Sequence, residues 1–165
     1  MTIVMAILLA VAIQRSAELL LAARNTRRLR AQGAIEFDPS GYPLLVVLHV
    51  GWLCAIALAL PADSGVSWPL LAVFGVLQLG RLWVIATLGG RWTTRVIVLP
   101  GAGLIAHGPY RWCRHPNYLI VIGEIALLPL AFGATRIAVT FSLCNLALLV
   151  RRISIEDAAL GRRNR

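Results

Sequence analysis

The chain has 165 residues, 59% of them hydrophobic, a mean hydropathy of +0.78 and a formal charge of +9. Soluble domains are about 45–50% apolar, so a water-soluble core is excluded; the length allows one membrane domain of about four to six spans. All 16 basic residues are arginine, set between apolar runs as topology signals are, which argues against a nucleic-acid partner.

The first apolar run covers 2–23. It lacks the basic n-region of a secretory signal peptide and continues past Gln14, Arg15 and Glu18, so it reads as a retained span. Arg15 and Glu18 stand three apart and are expected to form a local pair. Arg24, Arg27, Arg28 and Arg30 follow in the first link. Two further runs, 41–60 and 67–88, reach the roughly 20 residues that cross a ~30 Å hydrocarbon core. His49 in the first of these reads as glue between helices, as does Asn145 further on. Arg81 in the second is costly in lipid and is expected to face inward.

The link 89–116 carries Arg91, Arg95, Arg111 and Arg114. Within it, 95–99 and 103–107 read as short extended runs around Pro100-Gly101-Ala102, a structured cap over one membrane face. Gly108-Pro109 forces a turn, and Pro116 suits the first turn of the next helix, where a missing N–H costs nothing. Tyr110, Arg111, Trp112, Arg114, His115, Asn117 and Tyr118 crowd this helix start. An interfacial belt explains each of them singly, but it requires no fixed His-Pro-Asn-Tyr order.

The fourth and fifth runs, 117–133 and 135–150, are short and joined through Gly133-Ala134-Thr135, a tight helical hairpin. Gly123 and Pro129 are expected to bend the fourth. Glu124 there is expected to pair with Arg81 or, alternatively, to accept a proton in a cavity. Residues 152–161 should continue as a helix beyond the membrane, with Arg152 and Glu156 four apart on one face. A guanidinium there can hold an anionic oxygen, and a carboxylate can accept hydrogen bonds from a cofactor. The tail, with Arg151, Arg152, Arg162, Arg163 and Arg165, is a third arginine-rich region; five spans put all three on one side, which the positive-inside rule makes cytoplasmic. Asp63 and Arg136 fall on the other, with the N-terminus outside and the C-terminus inside.

Cys54, Cys113 and Cys144 have no metal or disulfide spacing. No GxGxxG, HExxH, GxSxG or Walker loop occurs, so any cofactor must be held by the bundle and its cap. The fold class expected is an all-α integral membrane protein of about five transmembrane helices, with a short extended cytosolic cap and a C-terminal cytosolic helix. Residues 1–88 form the first three spans of this single domain, and 89–165 form the site.

Gly108-Pro-Tyr-Arg-x-x-Arg-His-Pro-Asn-Tyr118, a helical hairpin and Arg152-x-x-x-Glu156 together resemble the isoprenylcysteine carboxyl methyltransferase family. Arg91-Trp-Thr-Thr-Arg95 and the stretch after His115 are similar to a bacterial branch associated with type III polyketide synthases, which O-methylates alkylpyrones or phenolic lipids. The resemblance implies S-adenosylmethionine as cofactor and no metal. It also implies a lipophilic acceptor entering from the bilayer and a multi-pass protein of the bacterial cytoplasmic membrane.

By position, it places the cofactor against Ala102, Gly103, Leu104, Ile105, Tyr110, His115, Pro116, Asn117, Tyr118 and Glu156. Arg152 and Glu156 are the catalytic candidates, with Arg152, Arg81 and Glu124 on the substrate side. Arg95 stands where eukaryotic members carry a neutral polar contact, and Asp157 replaces the second glutamate of a common Glu-Glu pair. Two rivals remain: an NADPH-dependent membrane sterol reductase, and a non-catalytic transport or scaffold module. In the reductases Gly-Glu directly follows the Tyr-hydrophobic pair, whereas here Ile120 and Val121 intervene before Gly123-Glu124.

Overall fold

In the computed structural model, which describes residues 2–61 and 64–162, the chain is an all-α membrane bundle of five helices. They are α1 (Ile3–Ala31), α2 (Gly41–Ala59), α3 (Trp68–Leu88), α4 (Pro116–Ala131) and α5 (Thr135–Arg162). Asp63, Arg163 and Arg165, which entered the orientation argument, lie outside the described residues.

Four of the helices are long and apolar enough to cross a membrane. The exception, α4, has 16 residues and an axial length of about 24 Å. It is the central helix, burying Ile120, Val121, Glu124, Ile125, Leu128, Pro129 and Ala131. Protein covers most of it, with Leu119 and Ile122 left facing outward, so its end can satisfy backbone groups within the bundle. Ser67 N at the start of α3 donates to Ala131 O at 2.7 Å, meeting one carbonyl that the helix end leaves open. Gly133, at φ +76°, turns the chain there, and Ala134 N returns a bond to Pro129 O at 2.8 Å.

Around α4 the core is built from every helix bar α5's outer face. Val4, Leu8 and Val11 recur at helical spacing on α1 and meet Trp52 and Ile56 of α2 and Phe74 of α3. They close on Val121, Ile125, Leu128 and Phe132. Trp52 keeps its indole N–H satisfied by donating to Ile125 O at 3.2 Å. Leu20, Val47, Leu58, Leu79 and Leu143 point outward, as lipid contact requires.

The structure changes two sequence expectations. First, α1 does not stop near residue 23 but runs to Ala31, so Arg24, Arg27, Arg28 and Arg30 ride on its last turns. Second, 103–107 forms no strand. The cap's ladder joins β1 (Ile35–Glu36), in the α1–α2 link, antiparallel to β2 (Ile97–Val98). The partner for 97–98 thus comes from about 60 residues upstream, where Glu36 offers a carboxylate to arginines on both sides. Arg30 pairs with it, and Arg95 donates at 2.7 Å while stacking over the Tyr42 ring at 4.0 Å. Burial pushes the Glu36 carboxyl up, but the bonds from Arg95 and Arg30 win and hold it below the usual range. Asp38 then accepts from Gly41 N at 3.1 Å and from Arg151 at 2.9 Å, tying the link to α5.

Candidate functional site

The site lies where the start of α4 meets the last turns of α5, at the arginine-rich end of the bundle. Its approach is set by Gly108, whose φ of +59° favours glycine, and a Cβ there would stand 2.6 Å from Thr87 Oγ1. Gly108–Arg111 forms a single 3-10 turn (η2) that presents Tyr110, whose hydroxyl proton is held more tightly by burial and then by Glu156 nearby. Gly108→Ala should lower stability by about 1–3 kcal/mol, read as a drop in the thermal midpoint. Adding Thr87→Ala should restore only part of it, because the backbone strain remains.

Tyr118, in the first turn of α4, is the hub. Arg152 Nε donates to its hydroxyl at 2.9 Å, and that hydroxyl in turn donates to Glu156 Oε2. Arg152 Nη2 is fixed by Thr94 O at 2.8 Å, whereas its Nη1 makes no hydrogen bond to a described group. Arg152 is buried, with only 7% of its surface exposed. His115 stacks on the Tyr118 ring at 5.3 Å between centroids, with Nε2 3.3 Å from Asp157 Oδ1 and Nδ1 3.7 Å from Glu156 Oε2. Asn117 Oδ1 is buried without a hydrogen-bond partner among the described residues.

Several sequence candidates therefore meet: Tyr118, Arg152 and Glu156 share one hydrogen-bonded chain, His115 stacks on Tyr118, Asn117 and Pro116 lie in the same turn, and Tyr110 is near Glu156. Ala102 to Ile105 lie apart from this chain of bonds. Gly103 O accepts from Arg91 at 2.6 Å, and Ala102 lines a cleft of ≈ 80 Å³ with Leu29, Ile97, Val98, Leu99 and Leu160.

Arg81 and Glu124 are not in the cluster either; no hydrogen bond or ion pair joins them to Tyr118, Arg152 or Glu156. They pair with each other at 2.7 Å, about 12 Å along α4 from its first residue. The expected local pair of Arg15 and Glu18, 2.9 Å apart, belongs to the same network, for Arg81 Nε reaches Glu18 and Arg15 reaches Glu124 at 2.8 Å. Gln78 donates to Glu124 at 2.7 Å and accepts from Gln14 at 2.9 Å.

Sequence reading missed Thr94, whose contribution is a backbone carbonyl with no side-chain signal, and the role of Tyr118 as the bridge. It also missed Gln14 and Gln78, though an amide four residues before Glu18 in an apolar run was a legible cue. Arg95 is spent on Glu36 and Tyr42.

The model of the isoprenylcysteine carboxyl methyltransferase family matches residues 70–162. An uncharacterized protein of Bacillus subtilis (strain 168), YpbQ, is 40% identical over 152 residues, covering 90% of each chain. An uncharacterized protein of Haemophilus influenzae (strain ATCC 51907 / DSM 11121 / KW20 / Rd) is 27% identical over 146 residues, covering 84% of this chain and 83% of that one. No solved structure matches. The family match takes in α3 to α5, and with them every residue of the Tyr118 cluster, so the site and the kinship coincide: the chain belongs to the isoprenylcysteine carboxyl methyltransferase family and is an integral membrane methyltransferase.

Proposed function

We propose that the protein transfers a methyl group from S-adenosylmethionine to an oxygen of a lipid-like acceptor, a carboxylate or an acidic enol or phenol. The observation that carries this reading is the Arg152–Tyr118–Glu156 chain, which sets a guanidinium with its Nη1 uncommitted beside a carboxylate. Family membership supports methyl transfer over hydride transfer or a non-catalytic role.

The residues present fit the cofactor. Glu156 and Asp157 supply charge for an ammonium and acceptors for ribose hydroxyls, and Asn117 Oδ1 is a buried acceptor in want of a donor. Ala102 to Ile105, Tyr110 and His115 to Tyr118 complete the set that would hold it. The ≈ 80 Å³ cleft beside Ala102 falls below the roughly 300 Å³ of a small-ligand pocket, so binding needs the 102–107 segment, which forms no ladder, to give way.

When bound, S-adenosylmethionine supplies an electrophilic methyl on a sulfonium. The chain's own part is to align and to exclude water. A carboxylate or acidic enol is already largely ionised near neutral pH, so no strong base is required. Arg152 holds the anion through Nη1 and cannot protonate it. Thr94 O and Tyr118 keep the guanidinium from swinging away, and Glu156 holds Tyr118.

On this reading the arginine-rich end faces the cytoplasm of a bacterium, with the N-terminus outside. The acceptor reaches Arg152 laterally from the bilayer. The acceptor class we favour is an alkylpyrone or phenolic lipid made by a type III polyketide synthase, with an isoprenylcysteine carboxylate as the other candidate. Calorimetry of the purified protein should show binding of S-adenosylmethionine and none of NADPH. Binding of NADPH alone would favour a reductase, and binding of neither a non-catalytic module.

A further inference from the structure

The described carboxylates are all engaged. Glu18 and Glu124 hold Arg15 and Arg81; Glu36 holds Arg30 and Arg95; Asp38 holds Arg151; Glu156 and Asp157 face His115. At the arginine-rich end this leaves Arg24, Arg27, Arg28, Arg91, Arg111 and Arg114 exposed and without an ion pair to any described carboxylate, as Arg136 is at the other end. Three of them share one face of α1, at spacings of three and four.

Their depth follows from helix geometry. Residues 3–23 of α1 are 21 residues and extend about 31 Å, which uses up the hydrocarbon core. Residues 24–31 rise about 12 Å further, through the level of the headgroups. The edge-on pair of Trp83 and Trp112, ring centroids 5.6 Å apart, sits at the same end, as an interfacial belt does.

The arginines are also gathered. Arg28 Nη1 lies 3.6 Å from where a Cβ on Gly90 would stand, so its guanidinium rests on the 3-10 turn Gly89–Arg91 (η1). That turn is pinned to α1 from the buried side, because Asn25 Nδ2 donates to Gly89 O at 3.1 Å and Trp92 O at 2.9 Å. The junction thus sets Arg28 against the turn that carries Arg91, with Arg24 one helical turn away on α1 and no described carboxylate paired with any of the three.

We propose that the junction of α1 and the Gly89–Arg91 turn is a binding site for the headgroup of an anionic phospholipid, held by Arg24, Arg28 and Arg91. A lipid phosphodiester supplies the missing negative charge at the depth where these side chains lie, and arginine's fork suits phosphate oxygens. Arg91 also donates to Gly103 O, so an occupied site steadies the 102–105 segment. The lipid site itself does not rest on that segment's role in methyl transfer.

Native mass spectrometry of the full chain, titrated with phosphatidylglycerol or phosphatidylcholine, tests this without any methyl-transfer assay. Phosphatidylglycerol should bind the more tightly. Arg24→Gln with Arg28→Gln, and separately Arg91→Gln, should erode that preference by roughly fivefold per arginine. Arg136→Gln, at the opposite end, should leave it intact. All four side chains are exposed, so an unchanged thermal midpoint certifies the fold. Equal affinity for the two lipids, or a preference that survives these substitutions, would overturn the proposal. Displacement of the lipid by inorganic phosphate would overturn it too, by showing a site for small soluble anions.

Discussion

Replacing Arg152 by alanine should lower the rate of methyl transfer by roughly 10²–10³-fold, the cost of losing one preorganised charged donor at a reacting oxygen. Affinity for S-adenosylmethionine should change little, because the proposed mechanism gives the guanidinium to the acceptor and not to the cofactor. Arg152→Lys should fail almost as badly. One ammonium on a flexible stem cannot hold Thr94 O and Tyr118 Oη, at 2.8 Å and 2.9 Å, and still present a fixed third donor. Calorimetry with the cofactor alone and single-turnover transfer to a lipid acceptor separate the two effects. Turnover at the parental rate in the alanine variant would remove Arg152 from the chemistry, whereas lost cofactor affinity would place it on the donor side.

The largest effect on stability should come from the mid-bundle network. Arg81→Met removes the guanidinium that touches both Glu18 and Glu124 and leaves Arg15 as the one positive charge paired with two carboxylates. Breaking a buried pair by removing one partner costs about 3–5 kcal/mol, since the remaining charge is desolvated and uncompensated. Joining Glu124→Gln to it should recover a good part, because the balance of charge is restored even though the cross-link is lost. Unfolding of the purified protein in mixed micelles, followed by circular dichroism, measures both. No loss in Arg81→Met would mean that water or lipid headgroups reach the network, which its 6% exposure at Arg81 and 1% at Glu124 argues against.

These two sites were unequally legible. The pairing of Arg81 with Glu124 was expected from cost alone, since two opposite charges in apolar spans have few other places to go. What the sequence could not supply was the breadth of the network: Arg15 and Glu18 satisfy each other within α1, so nothing local said that they also reach α3 and α4. The active-site candidates were read from motif order and resemblance. Which of them touch was beyond that reading, because Tyr118 and Glu156 are separated by 38 residues and joined only by the fold of α4 against α5.

The cap shows the same limit. Two extended stretches around Pro100-Gly101 invite a hairpin, yet 97–98 pairs with 35–36. A two-residue strand has too little local preference to choose its partner, and the ion pairs at Glu36 decide it. The sequence by itself determined a membrane protein of five apolar helices with one arginine-rich end, because lipid enforces apolar length and backbone satisfaction on each span separately. Only the tertiary structure decided the contacts. Those are made by polar side chains whose partners lie on other helices, and each gains little until the bundle brings the partners together and water is excluded.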